Sequence, residues 1–104
     1  MVREIVFDTE TTGFNYDKGD RLIEIGAVEL INHMPTGKTY HQYINPEREV
    51  PEDAVKVHGL TYDMLKEIDD DNSFITVKKQ YKRLVKNAMH DGVVKQIDEF
   101  LKLK

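Results

Sequence analysis

Glu4-Ile5-Val6-Phe7-Asp8-Thr9-Glu10-Thr11-Thr12-Gly13 is the stretch on which the fold turns. A short apolar run, Glu4 to Phe7, gives way to acids, threonines and a glycine. That pattern reads as a buried strand leaving the core at a polar, site-like loop. Asp8 and Glu10 stand two positions apart in extended chain, so both side chains leave the same face of the sheet. Two carboxylates side by side repel each other unless a cation sits between them, and hard divalent ions with oxygen ligands, magnesium or manganese, suit such donors. A D-x-E pair by itself more often belongs to a surface turn.

Outward from this stretch the chain is clearly punctuated. Asn15 to Asp20 reads as a loop. Arg21 to Ile31 is apolar on both alternating faces, as expected of an inner strand, with Glu24 the exception. Asn32 to Gly37, holding Pro35 and Gly37, reads as a turn, and Lys38 to Ile44 as a third strand antiparallel to the second. Pro51 opens a short helix, Glu52 to His58, and Gly59 closes it. Thr61 caps a second helix, Tyr62 to Ile68, with Leu60 and Leu65 placed to form a hydrophobic staple. Asp69 to Ser73 breaks the pattern. Phe74, Val77, Tyr81 and Leu84 then recur at helical spacing, with Ser73 as the expected cap. Leu84-Val85-Lys86 fits either a last helical turn or a short strand. Val94, Ile97, Phe100 and Leu101 read as a closing amphipathic helix.

Composition bounds the function. The 104 residues amount to one domain. Zero cysteines exclude disulfides, zinc-thiolate sites and thiol nucleophiles, in keeping with a cytoplasmic protein. No apolar run is long enough to span a bilayer. The net charge of −4 argues against adhesion to nucleic acid by bulk charge, while leaving room for an enzyme that grips a strand end through metal ions.

Two longer segments carry a resemblance. Arg3 to Phe14, followed by Gly19-Asp20-Arg21-Leu22-Ile23-Glu24-Ile25-Gly26-Ala27-Val28-Glu29-Leu30, resembles the epsilon-type proofreading subunits of bacterial DNA polymerase III. These belong to the DEDD 3′→5′ exonucleases, a family of ribonuclease-H-like fold. The likeness continues through Tyr43-Ile44-Asn45-Pro46-Glu47-Arg48 and Val57-His58-Gly59-Leu60-Thr61. Asn87-Ala88-Met89-His90-Asp91 is similar to the family's second motif, with His90 where phenylalanine is usual.

The resemblance implies an α/β fold: three antiparallel strands, a fourth beside the first, and flanking helices, without the family's last strand and helix. It implies Asp8, Glu10 and Asp91 as catalytic metal ligands for Mg2+ or Mn2+, and Thr9, Thr12, Asp53 and His58 along the cleft for the terminal nucleotide. The implied chemistry is two-metal phosphodiester hydrolysis releasing a nucleoside monophosphate from a DNA 3′ end. The implied protein partner is the polymerase catalytic subunit.

Two departures qualify this expectation. The family's third motif, with a histidine base and a fourth acid, has no counterpart between Asp91 and Lys104. The chain therefore reads as one incomplete exonuclease-like domain, residues 1–104, weak or inactive by itself. The alternatives are a non-catalytic remnant that binds a polymerase subunit or DNA end, and a half-enzyme completed in trans. His90 reads as a substitution in a packing slot or a rescue base; His33 and His41 read as ordinary polar residues. The second departure is the stretch from Tyr62 to Lys86, which is shorter than the family's. Within it Lys78, Lys79, Lys82, Arg83 and Lys86 form a basic cluster, either a solvated helix face or a phosphate-tracking one. A missing outer strand would leave the fourth strand's edge bare, so self-association across it is also expected.

Overall fold

The structure is a computed structural model that describes residues 2–68, 70–86, 89–90 and 97, with residues 16, 70–73 and 89–90 described by their backbone alone. Its sheet has the order β3-β2-β1-β4. The first strand, β1, runs Arg3–Thr11 and pairs antiparallel with β2, Leu22–Ile31, which pairs antiparallel with β3, Met34–Tyr43. The fourth, β4, is Met89–His90, parallel to β1 with Glu4 opposite Met89 and Ile5 opposite His90. This is the expected arrangement of three antiparallel strands with a fourth beside the first.

One face of the sheet is covered by α3, Asp70–Val85. Phe74, Val77 and Tyr81 recur at i, i+3 and i+7, so one helical stripe meets Ile5, Phe7, Ile25 and Ala27 in a shared buried cluster that also holds Ile97. Phe7 and Tyr81 meet edge to face, with ring centroids 5.4 Å apart. Arg3 fastens the far end of the helix: its Nη1 donates to the carbonyls of Leu84 (3.0 Å) and Lys86 (3.3 Å), while its Nε donates to Glu29 Oε2 at 2.7 Å. Two carbonyls at the end of the helix thereby find a donor.

A second buried cluster, Ile23, Val50, Leu60 and Leu65, holds α1 (Glu52–His58) and α2 (Tyr62–Leu65) beside the sheet. A register slip places Ile23 there. Glu10 faces Glu24 and Thr11 faces Leu22, so Ile23 has no opposite number and bulges. The Thr61 hydroxyl accepts from Met64 N–H at 3.3 Å, and Leu60 and Leu65 share the cluster, as the capping signal predicts.

Four sequence expectations are corrected. The first strand extends to Thr11, four residues past the apolar run that ends at Phe7, and carries Asp8 and Glu10 as extended chain. The turn is only Asn32-His33, both at positive φ (49° and 69°), as a two-residue hairpin of type I′ requires. The Pro35 and Gly37 that read as a turn mark a bulge in β3: Thr39 faces Val28 and Pro35 faces Leu30, leaving Thr36, Gly37 and Lys38 opposite Glu29 alone. An edge strand tolerates proline and a bulge, and β3 is an edge. The second helix stops at Leu65, three residues short of expectation.

The third helix differs in the other direction. It starts at Asp70, before the expected Ser73 cap, and Leu84 and Val85 form its last turn rather than a strand. Acidic residues are favoured in a first helical turn, so the aspartate run begins the helix rather than breaking it. The expected closing helix, 92–103, lies outside the described residues apart from Ile97.

Candidate active site

The second face of the sheet is open. Val6 and Val28, directly opposite each other, are 50% and 40% exposed. Strand alternation puts Asp8 and Glu10 on this face with Val6. Asp8 faces Gly26, which has no side chain, and Glu10 faces Glu24. Across Gly26 comes His41, whose Nε2–H donates to Glu24 Oε2 at 2.5 Å and whose ring meets Tyr43 edge on. Glu24 and His41 are thus occupied with each other. His33 approaches Glu4 at 2.8 Å at the hairpin tip. Neither histidine stands free as a base.

The Asp8 and Glu10 carboxylates have no hydrogen bond or ion pair among the described residues. Asp8 is exposed and Glu10 half-buried. Their four oxygens, pointing from one strand face and lacking cationic neighbours, are suitable donors for a hard divalent ion. Among the described residues no third carboxylate or histidine joins them in a metal-binding group. Asp91, the third expected ligand, lies outside the described residues, as does Asn87-Ala88 of its motif.

Beside Glu10 opens a cleft of about 480 Å³. Its floor is the end of β1 and the turn after it, from Thr9 to Phe14; its opposite wall is α1, with Asp53, Val57 and His58. Four expected contacts, Thr9, Thr12, Asp53 and His58, therefore surround one cavity, although 49 positions in sequence separate Thr9 from His58. Asp8 sits on the strand two residues from Glu10, outside the cleft lining.

His58 is set by its own helix exit. Leu60 N–H donates to its Nδ1 at 3.0 Å, so that nitrogen is the acceptor and the ring proton sits on Nε2. Nε2 is buried and has no partner among the described residues. The ring thus keeps one unused donor, suited to an oxygen acceptor on a bound molecule. Gly59, with φ 75°, supplies the left-handed exit that allows this geometry.

Thr12 contributes differently from expectation. Its buried hydroxyl donates to Asp20 Oδ1 at 3.0 Å and accepts from Arg21 N–H at 2.9 Å, so it is committed internally. Asp20 also accepts from Asn15 N–H (3.1 Å) and pairs with Arg48 Nη1 (3.1 Å), which donates to Gly19 O as well (2.8 Å). Gly13 packs against that carboxylate so closely that a Cβ there would overlap Asp20 Oδ2. The Arg48–Asp20–Thr12 chain fixes the turn that forms the cleft floor, and Gly13 is required by close approach.

Sequence reasoning missed the apolar lips of the cleft. Phe14 is 89% exposed and Val57 80% exposed, and both line it. An aromatic directly after Thr12-Gly13 was the available signal. Asp20 and Arg48, far apart in sequence, gave none.

With this geometry in place the comparisons decide the lineage. Residues 5–103 match the RNase_T family, described as Exonuclease. The chain belongs to this exonuclease family. It is 44% identical over 87 residues to DNA polymerase III subunit epsilon of Rickettsia typhi, covering 84% of this chain and 37% of that one. The epsilon subunit of Buchnera aphidicola subsp. Acyrthosiphon pisum is 41% identical over 113 residues, covering 98% and 47%. The chain thus spans less than half the length of these curated relatives. In fold it is similar to the metal-free form of the E. coli exonuclease I complex with single-stranded DNA, with TM-score 0.72, 17% identity, and coverage of 96% of this chain and 23% of that one. A zinc-bound form of that complex matches equally, with TM-score 0.72, 17% identity and coverage of 98% and 23%. Among the described residues no helix is long and apolar enough to cross a membrane.

Proposed function

We propose that this chain carries a 3′→5′ exonuclease domain that receives the 3′-terminal nucleotide of a DNA strand in the cleft beside Glu10. The observation that carries the reading is the gathering of Thr9, Asp53 and His58 around one cavity that opens beside an unpaired carboxylate pair. The naming of the relatives as polymerase III epsilon subunits supports DNA as substrate and the polymerase catalytic subunit as partner.

Asp8 and Glu10, with Asp91, would hold Mg2+ or Mn2+. Bound there, such ions supply Lewis-acid neutralisation of a scissile phosphate and lower the pKa of an attacking water. The chain's own groups do the positioning. Phe14 and Val57 offer apolar surface to a nucleobase, and burial of that surface is favourable. His58 Nε2–H donates to an oxygen of the terminal nucleotide. The Arg48–Asp20–Thr12 chain holds the floor against which that nucleotide rests.

A second reading, a half-enzyme completed in trans, is favoured by the exposure of Val6, Val28 and Asp8 on one sheet face. Both readings meet one test. A 5′-labelled single-stranded oligonucleotide is incubated with the chain and Mn2+, with and without a peptide carrying a histidine–acid third motif. The expected result is slow shortening from the 3′ end, accelerated by the peptide and abolished by Asp8→Ala. Cleavage that survives Asp8→Ala, or that proceeds from the 5′ end, would defeat the proposal.

A further inference from the structure

We infer that the outward face of α3 is a second binding site, remote from the cleft, for the phosphate backbone of a nucleic-acid strand. Lys79, Lys82, Arg83 and Lys86 are all exposed and lie along one side of the helix end at i, i+3, i+4 and i+7. None of the four has a hydrogen bond or ion pair among the described residues. Of the other described cations, Arg3, Arg48, Lys56 and Lys66 are each matched by a carboxylate (Glu29, Asp20, Glu52 and Asp63), while Lys18, Arg21 and Lys38 have no ion pair among the described residues but do not recur at helical spacing. The helix instead sets Lys79 against Arg83 and Lys82 against Lys86, two like-charge pairs at i, i+4, an arrangement that opposes helix formation. A polyanion laid along this side would relieve both repulsions.

Two blander explanations fall short. Cations are favoured near a helix C-terminus, but that effect fades beyond the last turn and does not reach Lys79. Arg3 already donates to the Leu84 and Lys86 carbonyls from the sheet side, so the exposed cations are not needed as caps. An acidic protein partner is the competing occupant. Protein interfaces are anchored by buried aromatic and apolar groups, and among the described residues Ile75 is the one exposed large apolar side chain of α3. Its cations extend about 10 Å along the helix, enough to meet successive phosphates of one strand.

The site is distinct from the cleft in position. Lys86 lies at the end of α3 that Arg3 holds, at the start of β1, whereas the cleft opens where β1 ends. The inference also stands apart from the catalytic reading, because backbone binding by lysines needs no metal ion.

The test is fluorescence anisotropy of a labelled oligothymidylate titrated with the full chain in chelator, across a salt series. Compared with the wild type are the variant Lys79→Gln, Lys82→Gln, Arg83→Gln, Lys86→Gln and a charge-matched control, Lys18→Gln, Lys38→Gln, Lys56→Gln, Lys66→Gln, each checked for helical content by circular dichroism. The expected result is wild-type binding that the control retains. The α3 variant should lose at least about tenfold at low salt, and its slope of log affinity against log salt should fall by about three. Equal weakening of variant and control, absence of wild-type binding, or preferential binding of polyglutamate over the oligonucleotide would each overturn the inference.

Discussion

Single side chains in this molecule are placed by partners that only the fold brings near. Glu29 illustrates this. It accepts from Arg3 Nε and from the Thr36 hydroxyl, and those two donors, the guanidinium first, hold its carboxyl below the ordinary glutamate value. A carboxylate with a depressed folded-state pKa lends stability above its unfolded pKa, near 4.5, and loses it as pH falls through the folded value. Wild type should therefore be more stable than Glu29→Gln at neutral pH, and the two should converge as pH drops below that point. Urea midpoints across pH 3–6 (about the carboxylate range) would check this, and a difference that widens on acidification would contradict it. The same scale shows what the sequence could tell. The i, i+2 spacing of Asp8 and Glu10 was enough to put both on one sheet face. That Thr12 turns its hydroxyl to Asp20, and that His58 keeps Nε2–H unused, depends on Arg21 and Leu60 backbone groups that no local pattern names.

At the level of elements, periodicity was informative and punctuation only in part. The helical recurrence of Phe74, Val77 and Tyr81 predicted the stripe that packs on Ile5 and Phe7, and Pro51 and Gly59 framed α1 correctly. Pro35 and Gly37 misled, because a proline without an N–H and a glycine at positive φ serve an edge-strand bulge as well as a turn. Gly37 has φ 87°, and nothing lies within 4 Å of the place a Cβ would take, so only conformation opposes a larger residue there. Gly37→Ala should accordingly destabilise the fold by about 1 kcal/mol, the left-handed penalty for an L-residue. Chemical denaturation would measure it. A neutral or stabilising substitution would mean that the bulge relaxes, and with it the Thr36–Glu29–Arg3 connection from β3 to β1.

Among the described residues the sheet is packed on one side by α3 and exposed at Val6, Asp8 and Val28 on the other, with the acidic pair on that face and a cleft beside it. Of the proposed ligand set, Asp8 and Glu10 lie on one face of β1, as their spacing implies, and Asp91, known only through the family resemblance, lies outside the described residues. The central claim is that Asp8 and Glu10 hold divalent cations, and it is tested most directly by titrating the isolated chain with Mn2+ while observing free Mn2+ by electron paramagnetic resonance. The account predicts saturable depletion of free Mn2+ by the wild type, competed by Mg2+ and lost in both Asp8→Ala and Glu10→Ala. Absence of binding by the wild type, or binding unchanged in both variants, would contradict it.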